Sequence, residues 1–297
     1  MTLTREARPP STLPPVLPLS DLNPTRRTPL VTLVLIVASI VAYVAWQQEP
    51  QRSGIEDLQF NLEQAAIPCE VVEGRSLTQQ EVVATFGEHG GDAEACGVGS
   101  DESPPFAADK SVYLSLFASM FMHGGFMHIA GNMLYLWIFG NNIEDHLGHV
   151  RYLLFYLVSG LAAAAAHIAL QPGSTVPVVG ASGAVAGVMG AYFVWFPRAP
   201  VRTLLFLGLP LFVTIKARWL LGFWFVMQFF TSPNSGVAWA AHVGGFVFGA
   251  AVGLLARSSR TAQRATWTSD HLRDMDPQHW DPTGGVGPVA ENRRWRG

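Results

Sequence analysis

The stretch VVGASGAVAGVMGAYF, residues 178–193, sets one hydroxyl, Ser182, in a run of glycine, alanine and valine. Whether that serine packs helices or reacts depends on where the run lies. Charged residues make up 14% of the 297-residue chain and hydrophobic residues 49%, against about 25% charged in globular proteins. The shortage is concentrated in apolar stretches approaching the about 20 residues that cross a bilayer as helix. The composition therefore predicts an all-α polytopic membrane protein, and 178–193 opens one of its spans.

Working outward, the first apolar run is LVTLVLIVASIVAYVAW (30–46). It has no A-x-A cleavage site and further spans follow, so 29–46 reads as a retained first transmembrane helix rather than a signal peptide. Residues 1–28 carry four arginines and six prolines and are expected to be a disordered cytoplasmic tail. The polar segment 47–110 has thirteen acidic but only three basic residues, Arg52, Arg75 and Lys110. By the positive-inside rule it is extracytoplasmic, as a loop or small subdomain. Both cysteines, Cys69 and Cys96, fall in it, on the side where disulfides persist, and are expected to bridge.

Further spans are expected near 120–139, 152–170 and from Val178 onward. Residues 203–230 hold two apolar runs separated by KAR (216–218). Each is too short to span alone, so the reading is an apolar segment at the inner surface followed by one span over about 213–231. The last span is VAWAAHVGGFVFGAAVGLLA (237–256), and 257–297 is expected to be a disordered cytoplasmic tail. Six spans put sixteen of the nineteen Lys and Arg inside, in accord with the charge rule. Both termini are then cytoplasmic in a multi-pass plasma or inner membrane protein. No internal repeat marks an inverted-repeat transporter.

No Asp, Glu, Lys or Arg lies deep in these spans, so the intramembrane polar groups are His123, His128, Asn132, His167, Ser182 and His242. Such groups in lipid face the bundle interior and often mark a site. The second, fourth and sixth spans all start from the outer face. His128, Ser182 and His242 each lie within about one to two turns of that start, at about 1.5 Å per residue. Asn132 shares a helix face with His128, four positions away. Four polar groups from three helices can thus meet at one depth, although each taken alone also fits a packing or interhelical hydrogen-bonding role.

A serine hydroxyl needs a base within hydrogen-bond reach, and His242 is the candidate. His128, Asn132 and the Ser182 backbone N–H, at a helix start, are donors for an oxyanion. No intramembrane carboxylate completes a triad, so the set is a Ser-His dyad. Gly183 and Gly187 on the fourth span, and Gly245 and Gly249 on the sixth, have the small-xxx-small spacing that lets helices approach closely. His167 has no nameable partner and is read as structural.

With HGGFMHIAGNM (123–133), GNNIEDHLG (140–148), GASG (180–183) and AHVGGFVFG (241–249) occurring in that order, the chain resembles the rhomboid family of intramembrane serine proteases. The resemblance covers a core placed at 111–256. It implies a six-transmembrane-helix rhomboid-like bundle with a cavity open to the outside, Ser182 as nucleophile and His242 as general base, and His128 and Asn132 beside the oxyanion. It implies a serine-type endopeptidase that cuts transmembrane segments of membrane-protein substrates in the bilayer. No cofactor, metal or nucleic-acid partner is expected. The alternative is a proteolytically inactive relative that binds membrane-protein clients, although such relatives typically lose the serine or histidine. The chain departs from the family at two points. SVYLSLFASMF (111–121) lacks the Trp-Arg pair often found before the second span, and Ala186 stands where many members place an aromatic beneath the histidine.

Overall fold

The computed structural model describes residues 16–47, 54–87, 91–99, 103–206, 209–231 and 237–256. The expected disorder of 1–15 and 257–297 lies outside these residues. In chain order the elements are β1 (Val16–Asp21), α1 (Leu30–Val41, continuing as π-helix over Ala42–Gln47), α2 (Gly54–Gln64), α3 (Pro68–Glu73), α4 (Gln79–Phe86) and α5 (Val112–Ala118). Then come α6 (Phe126–Leu147), α7 (His149–Leu170), α8 (Ser182–Trp195), β2 (Pro200–Phe206), β3 (Pro210–Lys216), α9 (Ala217–Gln228) and α10 (Trp239–Ala256). Among the described residues three helices are long and apolar enough to cross a membrane: Leu30–Gln47, His149–Leu170 and Trp239–Ala256.

VVGASGAVAGVMGAYF supplies most of the central helix, α8. Every residue of α8 from Gly183 to Tyr192 is buried, against α10, α7 and α6. Only small residues permit this. A methyl group on Gly249 would lie 1.8 Å from the Gly187 carbonyl oxygen, and one on Gly245 would lie 2.1 Å from that of Gly183. The two helices therefore touch backbone to backbone, the geometry expected of small-xxx-small pairs. Tyr192, Met189, Phe139 and Leu136 fill the space beside this seam.

The ends of the bundle are tied by side chains reaching from one element to another. Pro29 precedes α1 and supplies no side-chain cap. Instead the buried Glu144 carboxylate of α6 accepts hydrogen bonds from Val31 N (2.8 Å), Thr32 N (2.8 Å) and Thr32 Oγ1 (2.7 Å), serving the orphan donors of the first turn. Arg27 N donates to Asp145 at 2.9 Å. The GNNIEDHLG stretch is thus the dock for the segment ahead of the first long helix.

That segment corrects the expectation of a tail disordered through residue 28. Val16–Asp21 forms an antiparallel strand with β2, which pairs in turn with β3. The all-α expectation is corrected by the same three-stranded sheet, order β1-β2-β3. Composition pointed to disorder because pairing with a partner some 180 residues away leaves no local signature. The predicted span over 213–231 is also corrected: β3 takes its first residues and α9 begins at Ala217. The apolar run of β2 alternates in burial, with Val201 and Thr203 buried and Arg202 exposed between them, the period-2 pattern of a half-buried strand. Likewise the second apolar run shifts inward along the chain, since α6 starts at Phe126, after Gly124–Gly125, rather than near 120.

The segment after the first long helix is a small disulfide-linked helical unit. Cys69 and Cys96 are bonded, and Leu62, Ile67, Leu77 and Val82 pack around them. Thr78 and Glu81 form a reciprocal cap at the start of α4. Burial raises the Glu81 carboxyl, but the Arg75 guanidinium and the Thr78 and Gly97 N–H groups outweigh it and hold it down at about 2. The unit docks on the end of α5 and on the loop leading to α8: Ala66 N donates to Ser119 Oγ (2.6 Å), Val178 N to Ala66 O (2.8 Å) and Cys69 N to Ser174 O (2.9 Å).

Two outcomes follow from this packing. Gly249→Val is expected to cost about 3 kcal/mol or more in thermal unfolding in detergent, because backbone rather than a flexible side chain is in the way. Gly222→Ala, whose added methyl meets only Phe193 at 3.7 Å, should be neutral or stabilising by up to about 1 kcal/mol. The second concerns Asp21, whose carboxyl accepts from Tyr192 Oη at 2.7 Å and also from Asn142 and Asn23. Burial pushes that carboxyl from 3.8 up to about 6, against the pull of the Tyr192 and Asn23 hydrogen bonds. A raised native value means that its contribution is full below 3.8 and is lost as pH rises through about 6. Melting temperature should fall across that window in the parent protein, with a flatter profile in Asp21→Asn.

Candidate active site

Helix starts deliver the polar residues. Ser182 is the first residue of α8, His128 the third of α6 and His242 the fourth of α10. Their common depth follows from three helices beginning at one face, and the Gly183/Gly245 contact one turn away closes the gap between α8 and α10. The result is a hydrogen bond between Ser182 Oγ and His242 Nε2 at 2.8 Å.

Both residues line an open cavity of about 710 Å³, with His128, Asn132, His167 and Trp224 also in its wall. His128 Nδ1 accepts the Gly124 N–H at 3.2 Å, which leaves the proton on Nε2 as a donor. That nitrogen points at the turn before α8. Gly180 there has φ 130°, a conformation few side-chain-bearing residues adopt, and a methyl on it would lie 2.9 Å from His128 Nε2 and 3.5 Å from Ser182 Oγ. Glycine at this position lets the imidazole approach the hydroxyl. Asn132, one turn along α6, is buried, and its Nδ2 has no hydrogen-bond partner among the described residues. Ser182 N, at the first position of α8, has no acceptor in the preceding turn of its own helix. His128 and Asn132 thus share one cavity wall with a hydroxyl that is hydrogen-bonded to an imidazole.

The other histidines divide. His167 reaches the cavity wall from α7 without bonding to the pair. His123 is fully buried, its backbone N accepting no role in the pair: it donates to Gln47 Oε1 (2.8 Å), while Gln47 Nε2 donates to His123 O (2.7 Å). This clamps the end of the first long helix to the HGG turn. Ala186 is fully buried between helices and offers no ring to His242. In its place α9 supplies Trp224, whose ring centroid lies 5.7 Å from the imidazole, and Gln228, whose Oε1 lies 2.7 Å from His242 Nδ1. Neither stood out in the sequence, because a glutamine near the end of a short apolar helix looks like an interfacial residue. The available signal was their i, i+4 spacing on one face.

A helical membrane bundle with a serine-imidazole pair in an open cavity defines the class to which the chain is to be assigned. The chain belongs to the rhomboid family, since the Rhomboid domain matches residues 110–259. It is 34% identical over 139 residues to "Rhomboid protease GluP" of Bacillus subtilis (strain 168), covering 47% of this chain and 26% of that protein. It is 32% identical over 145 residues to "Rhomboid protease GlpG" of Serratia proteamaculans (strain 568), covering 48% of each. To "Rhomboid protein 1, mitochondrial" of Saccharomyces cerevisiae it is 33% identical over 101 residues, 31% of this chain and 28% of the relative. The chain thus spans about a quarter to a half of the length of these relatives.

Gly180→Ala tests the cradle around His128. With strain at that φ and a methyl 2.8 Å from His128 Cε1, it is expected to lose about 2 kcal/mol in thermal unfolding. An unchanged melting temperature would mean that the imidazole is not held where the geometry puts it.

Proposed function

We propose that the protein is an intramembrane serine endopeptidase that cleaves transmembrane segments of other membrane proteins with a Ser182–His242 dyad. The observation that carries the reading is the 2.8 Å hydrogen bond between Ser182 Oγ and His242 Nε2 inside a cavity that His128 and Asn132 also line. Family membership and the relatives named as rhomboid proteases support it.

In this mechanism His242 Nε2 takes the Ser182 hydroxyl proton as Oγ bonds to the carbonyl carbon of the scissile peptide. The carbonyl oxygen becomes an oxyanion held by His128 Nε2–H, Asn132 Nδ2–H and the Ser182 N–H. As the tetrahedral adduct collapses, the C–N bond breaks and His242 delivers its proton to the departing amine. Water, deprotonated by the same imidazole, then attacks the acyl-serine, releases the carboxylic acid and restores the hydroxyl. A recess of about 50 Å³ beside Ser182, walled by Gly160, Ala163, Gly183 and Ala184, suits a small side chain next to the cut.

In the same reading α1, α6, α7, α8, α9 and α10 are six spans of the plasma or inner membrane. The disulfide-linked unit lies outside, and the sheet and both termini lie in the cytoplasm. The acidic balance of 47–110 and the basic residues of the opposite side support this orientation. Residues 1–28 and 257–297 flank the protease core as cytoplasmic segments, and the bilayer and its membrane proteins are the partners.

The test incubates purified protein with a tagged transmembrane substrate. Wild type is expected to cleave it, and Ser182→Ala and His242→Ala should each fall by about 10³-fold or more, to background. Cleavage that survives both substitutions would refute the dyad, and a wild type that binds substrate without cutting it would favour a client-binding role.

A further inference from the structure

The imidazole of His242 is useful as a base only if Nε2, facing Ser182, carries a lone pair and Nδ1 carries the proton. In a site without a carboxylate, something neutral must choose between the tautomers. Gln228 is placed to do so. Its Oε1 is 2.7 Å from His242 Nδ1, and its Nε2 donates to the Trp224 carbonyl oxygen one turn back at 3.0 Å. The second bond decides the first. With the amide nitrogen committed to a backbone carbonyl, the atom presented to His242 is an oxygen, which can only accept. Nδ1 must then be the protonated nitrogen, and Nε2 is left free to accept from the serine.

The environment makes the choice stringent. Gln228 is 8% exposed, so bulk water does not readily replace its oxygen as acceptor, and an Nδ1–H left unpaired there carries a desolvation cost. The ring plane is set from the same helix. Trp224 packs against His242 with an interplanar angle of 38°, where Ala186 of α8 contributes only a methyl. Both groups that fix the base therefore come from α9, one turn apart, and neither comes from the helices that carry the dyad.

We propose that Gln228 is the positioning residue of the base, holding His242 in the Nδ1–H tautomer, so that a competent dyad exists only while α9 is docked against α10. This rests on the reading of Ser182 and His242 as the reacting pair. Gln228 takes no part in bond making. It stands where a triad has its carboxylate, and as a neutral acceptor it orients the ring without adding charge to the bilayer interior.

Two measurements test it on the full-length protein in detergent. In ¹⁵N-histidine-labelled wild type, with His242 assigned by difference from His242→Ala, Nδ1 should resonate as protonated and Nε2 as unprotonated. Gln228→Leu should give a tautomer mixture. In cleavage assays Gln228→Leu should lose about 10- to 100-fold in kcat with KM within about twofold. Gln228→Glu, which keeps an acceptor at the same reach, should recover most of that loss. If Gln228→Leu fails to fold, the nearly isosteric Gln228→Met carries the same expectation. A wild-type His242 protonated at Nε2 would overturn the assignment without any activity measurement. So would Gln228→Leu or Gln228→Met with unchanged kcat and tautomer while Ser182→Ala and His242→Ala are inactive, an outcome that leaves the dyad standing. Cleavage surviving Ser182→Ala would instead remove the dyad itself.

Discussion

The backbone contact between α8 and α10 is the constraint on which the rest depends. Two helices in which the Gly183 and Gly187 carbonyls of one fill the space a side chain would take on Gly245 and Gly249 of the other cannot rotate or slide without losing the fit. Helices in lipid gain nothing from hiding apolar surface, so close packing is what holds them. With α8 and α10 locked in register, the first turn of one and the first turn of the other have a fixed separation. The 2.8 Å approach of Ser182 to His242 is the local expression of that register. The serine and the small residues around it are therefore parts of one device.

The polar groups obey a second rule. In a medium where an unsatisfied donor or acceptor is costly, several are met by a residue from a different element. Glu144 of α6 caps α1, Asp21 of β1 receives Tyr192 of α8, Gln47 clamps the backbone of His123, and Gln228 of α9 meets His242 of α10. Such cross-links specify which helix sits beside which, a choice that apolar contact with lipid-facing side chains does not make. Asn132 Nδ2 is buried with no hydrogen-bond partner among the described residues, and Asn132 shares a cavity wall with Ser182.

The sequence carried the parts of this fold that are local or periodic. Apolar runs marked α1, α7, α8 and α10, the charge bias of 47–110 set that segment apart with both cysteines in it, and helix starts brought His128, Ser182 and His242 to one depth. What escaped was non-local. β1 pairs with a strand far along the chain, and nothing in VLPLSD distinguishes a strand from a proline-rich tail until β2 is beside it. PVRTLLF and PLFVTIK read as membrane-facing because β-branched and leucine-rich runs suit both environments. Gln228 escaped for the same reason, since its meaning lies in a histidine fourteen residues away on another helix.

Ala186 bears on which helix holds the imidazole of His242. An aromatic one turn after Ser182 would hold the imidazole from α8, making nucleophile and ring support properties of one rigid helix. With alanine there, the position is fully buried between α8 and its neighbours. The support must then come from the other side of the imidazole, where Trp224 and Gln228 present a ring and an acceptor together. Orientation by a stacked aromatic fixes a plane but leaves the tautomer free. Orientation by a glutamine whose own amide is committed to the backbone fixes both, and ties them to a twelve-residue helix that follows directly on β3. Ser182 and His242 are thus brought together by the glycine seam, whereas the contacts to His242 Nδ1 and to its ring come from a helix outside that seam.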